Sequence, residues 1–331
     1  MLKILLRVLV TVLLLGWLLF STDFDQLKEV TRAAHGSWLF LGVTAYLISM
    51  GVTVLRWQIL LQGLNMPQPF WRLARIFLIG CFFNMFLPSS IGGDVMKMVL
   101  LTPDIAKREV AISSVLMDRV VGLASIIGVG LCAALALPAV RSDMRIVSTL
   151  AFTCICFVLA LTVLVYQPLF TRLIGWLPKR LHKRLAGPVT RVYDSLGPLR
   201  QNPQVLVRAM GASVVLQLGV CISMYFAGQA FGVEAGLLAY FALIPVGLAV
   251  TALPISINGL GVLDNMLVLL FSTIGVPQLK VFVLSIYLHL MQNGLGILGG
   301  ILFAGQRNRQ AGRQKATETQ ASYSIPAQQD P

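Results

Sequence analysis

Two stretches decide how this chain is folded: "FLPSSIGGDV", Phe86 to Val95, and its partial echo "ALPISINGLGV", Ala252 to Val262. Each carries Leu-Pro, a serine, an isoleucine and then a pair of glycines, and each interrupts a run of apolar residues. Proline cannot donate a backbone hydrogen bond and glycine relaxes the backbone, so both are helix breaks. Whether a break is a kink or a hairpin sets the side of the membrane on which every later segment lies.

That a membrane is the solvent follows from composition. The 331 residues are 57% hydrophobic and 12% charged, against about 25% charged in a soluble domain, and the mean hydropathy is +0.82. A hydrocarbon core about 30 Å thick takes about 20 residues of helix. Runs of that length occur near Leu2 to Phe20, Trp38 to Leu61, Ile112 to Leu137, Ile146 to Tyr166, Val205 to Phe231 and Val281 to Ala304. The first follows Lys3 and Arg7, like a signal peptide, but its exit "LLFSTDFD" has no A-x-A-like cleavage site, which favours an anchor. The fold class expected is an all-α polytopic membrane protein with about six full spans plus the two broken regions.

Charge orients it. The net charge of +13 would suggest nucleic acid for a soluble protein; here the positive-inside rule explains it, and no nucleic-acid partner is expected. With the N-terminus inside, Lys28, Arg32, Arg141, Arg145 and Lys280 fall outside, and Arg56, Lys97 and Arg119 fall in or near the membrane. The other eighteen of the 26 Lys and Arg are cytoplasmic. If Leu73 to Leu101 were one kinked span, the basic stretch from Arg172 to Arg200 would move outside. Its second arm, Ile91 to Leu101, reaches only about 16 Å as helix. The expectation is therefore a re-entrant pair opening to the cytoplasm. The same reasoning makes Leu237 to Gly275 a pair opening outward, so that Arg307, Arg309, Arg313 and Lys315 stay inside. With three spans between them the pairs are oppositely oriented, as in a degenerate inverted repeat. A cell (inner) membrane location with both termini cytoplasmic follows from this count.

The membrane domain expected is 1–304. Within 170–200, "RLIGWLPKRLHKRLAGPVTRVYDSL" interleaves apolar and basic residues, as in an amphipathic helix lying on anionic headgroups; an ordinary basic loop is the alternative. Residues 305–331 have little hydrophobic content and read as a disordered cytoplasmic tail. The five cysteines, Cys81, Cys132, Cys154, Cys156 and Cys221, sit in apolar runs with no zinc spacing or disulfide framework. No metal site and no cofactor is expected.

A half-helix that starts after a break exposes unpaired N–H groups and the positive end of its dipole, a natural place for a lipid phosphate. The candidate substrate-binding residues are those at the breaks and the polar ones beside them, because ionisable groups at membrane depth are costly and often functional. Around the first break these are Asn84, Ser89, Ser90, Gly92, Gly93, Asp94 and Lys97, with Asp118 and Arg119 on the next span and Arg56 on the previous one. Around the second they are Asn258, Gly259, Gly261 and Asp264. The competing readings are Pro and Gly kinks in packed helices, ion pairs that hold helices in register, and Arg56 snorkelling to the interface. His289, Gln292 and Asn293 share one helix face and read as interhelical hydrogen-bonding groups rather than metal ligands.

In order and spacing, "RWQILL", "FNMFLPSSIGGDVMKMVLL", "VLMDRVVGL" and "LPISINGLGVLDNMLVLLF" resemble the lysylphosphatidylglycerol synthase transmembrane-region family, also called flippase-like. The resemblance runs to about Ala304. It implies a membrane domain that moves lipid between leaflets, while lysine transfer in bifunctional members belongs to a separate soluble domain. The sequence after Ala304 is too short for such a domain, so the stand-alone form is expected, in a bacterial or archaeal membrane. In such proteins a basic residue follows the glycine-glycine-aspartate, which matches Lys97; Asp264 stands one position later than the acidic residue they commonly carry. No HExxH, GxSxG or P-loop is present, so an enzyme is not the expectation. The expected function is a transporter or flippase-like handler of an anionic lipid, with Arg119 and Lys97 on phosphate and Asp94 and Asp118 holding those cations. A headgroup-modifying enzyme and a non-transporting partner of a lipid-modifying enzyme are the alternatives.

Overall fold

The computed structural model describes residues 24–86, 91–102, 108–136, 148, 154–155, 172, 179–251 and 259–323. The expected spans Leu2 to Phe20 and Ile146 to Tyr166, and the break residues Ser89, Ser90, Pro88, Pro254 and Asn258, lie outside the described residues, isolated positions apart.

All regular structure among the described residues is helix. In chain order the helices are α1 (Phe24–Arg32), α2 (Gly36–Gly63), α3 (Phe70–Phe86), α4 (Ile91–Leu101), α5 (Arg108–Ala136), α6 (Lys179–Ser195), α7 (Gly197–Gln201), α8 (Pro203–Ala230), α9 (Leu237–Thr251), α10 (Val262–Ser272) and α11 (Gln278–Tyr323). Four are long and apolar enough to cross a membrane: α2, α5, α8 and the 278–306 part of α11, each 28 or 29 residues. The two broken regions are short pairs, α3 with α4 and α9 with α10, of 17, 11, 15 and 11 residues. The protein is an all-α polytopic membrane protein, and large side chains such as Phe40, Ile48, Trp71, Val207, Leu269 and Ile301 cover its outside as lipid-facing surface.

One structural difference concerns the tail. Where low hydrophobicity suggested disorder from 305 onward, α11 continues as helix to Tyr323. Gln, Arg, Ala, Lys and Glu, which dominate 306–323, are strong helix formers, so a span already wound at 304 propagates without a nucleation cost. Of the amphipathic segment, Lys179–Ser195 forms α6, which packs on α5: Ser113 donates to the Val192 carbonyl at 2.9 Å, and Tyr193 is buried.

Packing is organised by exchange. α2 lies antiparallel against α8, with Gly42 beside Ser223, Ser49 beside Gly219, Arg56 beside Ser213 and Gly63 beside Val205. Small residues let these backbones approach, and Ser223 donates to the Gly42 carbonyl at 2.7 Å. α3 packs on α11, and α9 packs on α5. Swapping α2, α3, α4 and α5 for α8, α9, α10 and α11 reproduces this set of neighbours. α2 and α8 run in opposite directions, as the two halves of an inverted repeat would have them. Two buried clusters mirror it: one joins Leu60, Leu73, Leu101 and Ala111, the other Met224, Tyr240, Phe271 and Leu284.

Candidate functional site

The short helix after each break turns back along the one before it. Gly80 and Gly93 form the crossing of α3 and α4; a Cβ on Gly93 would overlap the Gly80 carbonyl oxygen. Asn84, in the last turn of α3, accepts the Gly93 N–H through Oδ1 at 2.7 Å. It thereby satisfies one of the donors that the start of α4 leaves unpaired. Gly92 is buried beside it.

Asp94 follows in the first turn of α4, where the helix dipole favours a carboxylate. It is buried, and its Oδ2 accepts from Arg119 Nε at 2.6 Å. Lys97 Nζ lies 3.5 Å from the other carboxylate oxygen. That ammonium also lies over the rings of Trp57 and Phe77, 5.8 and 5.1 Å from their centroids, so Lys97 is enclosed rather than presented. Arg119 differs: its side chain is 49% exposed while that of Asp94 is 10% exposed.

Asp118, next to Arg119 in sequence, points elsewhere. It accepts from Arg56 Nε at 2.8 Å, and Arg56 Nη1 donates to Ser213 Oγ at 2.7 Å. Both members are almost fully buried, with side chains 6% and 9% exposed. Arg56 therefore ties α2, α5 and α8 together instead of snorkelling. The single polar cluster expected from sequence is two separate constellations. Neighbours on a helix are rotated by about 100°, and that rotation sends Asp118 toward α2 and Arg119 toward the break.

In the other half, Gly259 and Gly261 both have φ of 78°, a left-handed conformation that costs little only for glycine. Asp264 is buried in the first turn of α10. It accepts the Gly261 N–H at 2.8 Å through Oδ2 and meets His289 Nε2 at 2.9 Å through Oδ1. Asn265 caps the same turn by donating to the Gly261 carbonyl at 2.7 Å. His289 is thus an interhelical partner, as its helix face suggested, and its partner is the buried carboxylate.

Between the two breaks is a cavity of about 210 Å³ lined by Tyr46, Met50, Cys81, Asn84, Met85, Arg119, Thr251, Leu263, Gln292 and Leu295. Asn84 and Met85 come from the end of α3, Thr251 is the last residue of α9, and Leu263 precedes Asp264, so both breaks contribute walls. Arg119 is its cation among the described residues. Drug-sized pockets run roughly 300–1,000 Å³, so this one has room for a headgroup and not for acyl chains. Tyr46, Cys81, Thr251 and Gln292 were not among the candidate substrate-binding residues; the first three are unremarkable within their apolar runs, and Gln292 reads from the sequence as an interhelical hydrogen-bonding group, so only the fold places them on this cavity.

The family described as "Lysylphosphatidylglycerol synthase TM region" matches residues 4–300. The chain belongs to that family. Membership accords with the integral membrane character of the fold. A "UPF0104 membrane protein" of Methanothermobacter thermautotrophicus is similar to it, 22% identical over 272 residues that cover 76% of this chain and 80% of the relative.

Proposed function

We propose that this protein carries the phosphate-bearing headgroup of an anionic membrane lipid through the cavity between its two broken helix pairs, the acyl chains remaining in the bilayer. The observation that carries this reading is Arg119: a half-exposed guanidinium on the wall of a headgroup-sized cavity, oriented from behind by Asp94, which Lys97 in turn neutralises. A guanidinium whose Nε is fixed on a carboxylate is preorganised for an oxyanion. The neighbouring start of α4 adds its dipole to the field.

In this reading α3 with α4 and α9 with α10 are re-entrant pairs. The fold-back at Gly80 and Gly93 and the opposite course of α2 and α8 support the assignment. The ends that gather the basic residues Arg72, Arg75, Arg108 and Arg200 face the cytoplasm of the cell membrane, with both termini on that side. The cavity acts by binding and releasing, as a transporter rather than a catalyst, with membrane lipids as its partners.

The experiment is reconstitution of the purified chain in proteoliposomes with fluorescent lipids of different headgroups, read by a membrane-impermeant quencher. Faster exchange for anionic glycerophospholipids or polyprenyl phosphates than for phosphatidylcholine is expected. Exchange no faster than in protein-free vesicles for any headgroup would overturn the reading.

A further inference from the structure

Two of the buried carboxylates, one just after each break, are equivalent under the exchange that relates the halves. Asp94 lies in the first turn of α4 and Asp264 in the first turn of α10. The partner of each stands 25 residues further along the chain: Arg119 for Asp94 and His289 for Asp264. Arg119 is the twelfth residue of α5 and His289 the twelfth of α11. The inverted repeat thus repeats its ion pair, with one substitution: where one half holds a guanidinium, the other holds an imidazole, which can take up and release a proton.

We infer that His289, held by Asp264, is a proton site coupled to the headgroup site at Arg119, so that one proton crosses with each anionic headgroup. This rests on the transport reading and names its coupling ion.

The geometry specifies where the proton goes. Asp264 already accepts a backbone N–H at Oδ2, so Nε2 of a neutral His289 is the protonated nitrogen, donating to Oδ1. Nδ1 then carries the lone pair. It is buried with no hydrogen-bond partner among the described residues, in a side chain about 10% exposed. Protonation at Nδ1 gives an imidazolium against an aspartate, with no other bond changed.

The surrounding elements bring mostly neutral groups: Tyr46 from α2, Cys81 from α3, Tyr225 and Cys221 from α8, Tyr240 from α9 and Tyr287 from α11 itself. The charges on these helices lie away from the pair. Lys280, nine residues before His289, donates to the Gly232 carbonyl. Arg56 is paired to Asp118; Arg72, Arg75 and Arg208 lie toward the opposite end, and α1, which also packs on α11, carries Asp25, Lys28, Glu29 and Arg32 at its own end. Arg119, across the cavity, is the charge that shares it; Leu263 beside Asp264 and Gln292 one turn from His289 line the same space. An anion entering there favours protonation of His289, and by reciprocity acid favours the anion.

The test uses fluorescent phosphatidylglycerol in proteoliposomes carrying a pH gradient of one unit, with membrane potential clamped. One proton per headgroup predicts about a tenfold enrichment in the leaflet facing the alkaline side, since one pH unit is a tenfold ratio. His289→Arg keeps the ion pair and is expected to abolish the enrichment, as is His289→Gln; a merely structural histidine would tolerate arginine. Wild-type protein that moves the lipid with no response to the gradient would overturn the proton site while leaving transport intact.

A second readout is independent of transport. The chain has three histidines, so ¹⁵N spectra in nanodiscs, with His289→Gln for assignment, follow Nδ1 directly. Its titration midpoint is expected to rise when phosphatidylglycerol replaces phosphatidylcholine. An unchanged midpoint would overturn the inference; absent translocation with a raised midpoint would overturn transport and leave the linkage.

Discussion

Replacing Asp118 by leucine separates the two ion-pair constellations most cleanly. It strands Arg56, whose side chain is 6% exposed and whose remaining bond is Nη1 to Ser213 at 2.7 Å. Removing one partner of a buried pair costs roughly 3–5 kcal/mol, because the other charge is left uncompensated. The lower end applies here, since Ser213 still accepts from the guanidinium. Arg56→Met together with Asp118→Leu removes both charges. Ser213 and Ser125 then keep each other at 2.8 Å, and Ser213 keeps the Val121 carbonyl at 3.2 Å, so no hydroxyl is orphaned. The double variant is expected to recover most of the loss, as apolar replacement of a buried pair is often neutral or better. Unfolding in mixed micelles by SDS titration, followed by circular dichroism, reads both. The single change should lower the folding equilibrium constant on the order of 10²-fold, and the double variant should translocate lipid like the wild type. A single variant as stable as wild type, or a double variant that folds but cannot translocate, would refute the division into a structural pair and a functional one.

Other changes follow from the same geometry. Gly93→Ala drives a methyl into the Gly80 carbonyl and the Asn84 amide, costing roughly 1–3 kcal/mol, whereas Gly128→Ala, with nothing within 4 Å of its Cβ position, should stabilise slightly; the micelle titration compares them. Arg119→Gln leaves Asp94 with Lys97 at 3.5 Å, so folding should lose less than in the Asp118 variant, whose Arg56 keeps no counter-charge. Headgroup binding should weaken roughly ten- to a hundredfold for a lost contact of about 1.5–3 kcal/mol, measured by phosphatidylglycerol titration in nanodiscs. Gly261→Ala places a side chain at φ 78°, costing about 1–2 kcal/mol, and unfolding midpoints should show it.

Much of this architecture is legible in the sequence, because membrane spans and their breaks are written in runs of apolar residues and in Pro and Gly. Trp38 to Leu61 and Val205 to Phe231 fall inside α2 and α8 but for a single residue at the end of α8. Ile91 to Leu101 is the whole of α4. Partner choice was not legible. Asp118 and Arg119 are adjacent in sequence, and only the phase of α5 against α2 and α4 decides that one meets Arg56 and the other Asp94. Lys97 looks like a phosphate ligand until Trp57 and Phe77 are seen to enclose it. The 25-residue spacing from each carboxylate to its partner is present in the sequence, yet an arginine in one half and a histidine in the other hide the repeat from motif comparison.

The cavity itself offers the most direct measurement. Cys81 lines it, whereas Cys132 is exposed on the outside of α5. In a chain retaining Cys81 alone among the five cysteines, translocation of fluorescent phosphatidylglycerol is timed before and after modification by a bulky maleimide, with a chain retaining only Cys132 as control. Arrest on modification of Cys81 and an unchanged rate on modification of Cys132 are predicted. An unchanged rate with Cys81 fully modified would contradict a headgroup path between the two breaks.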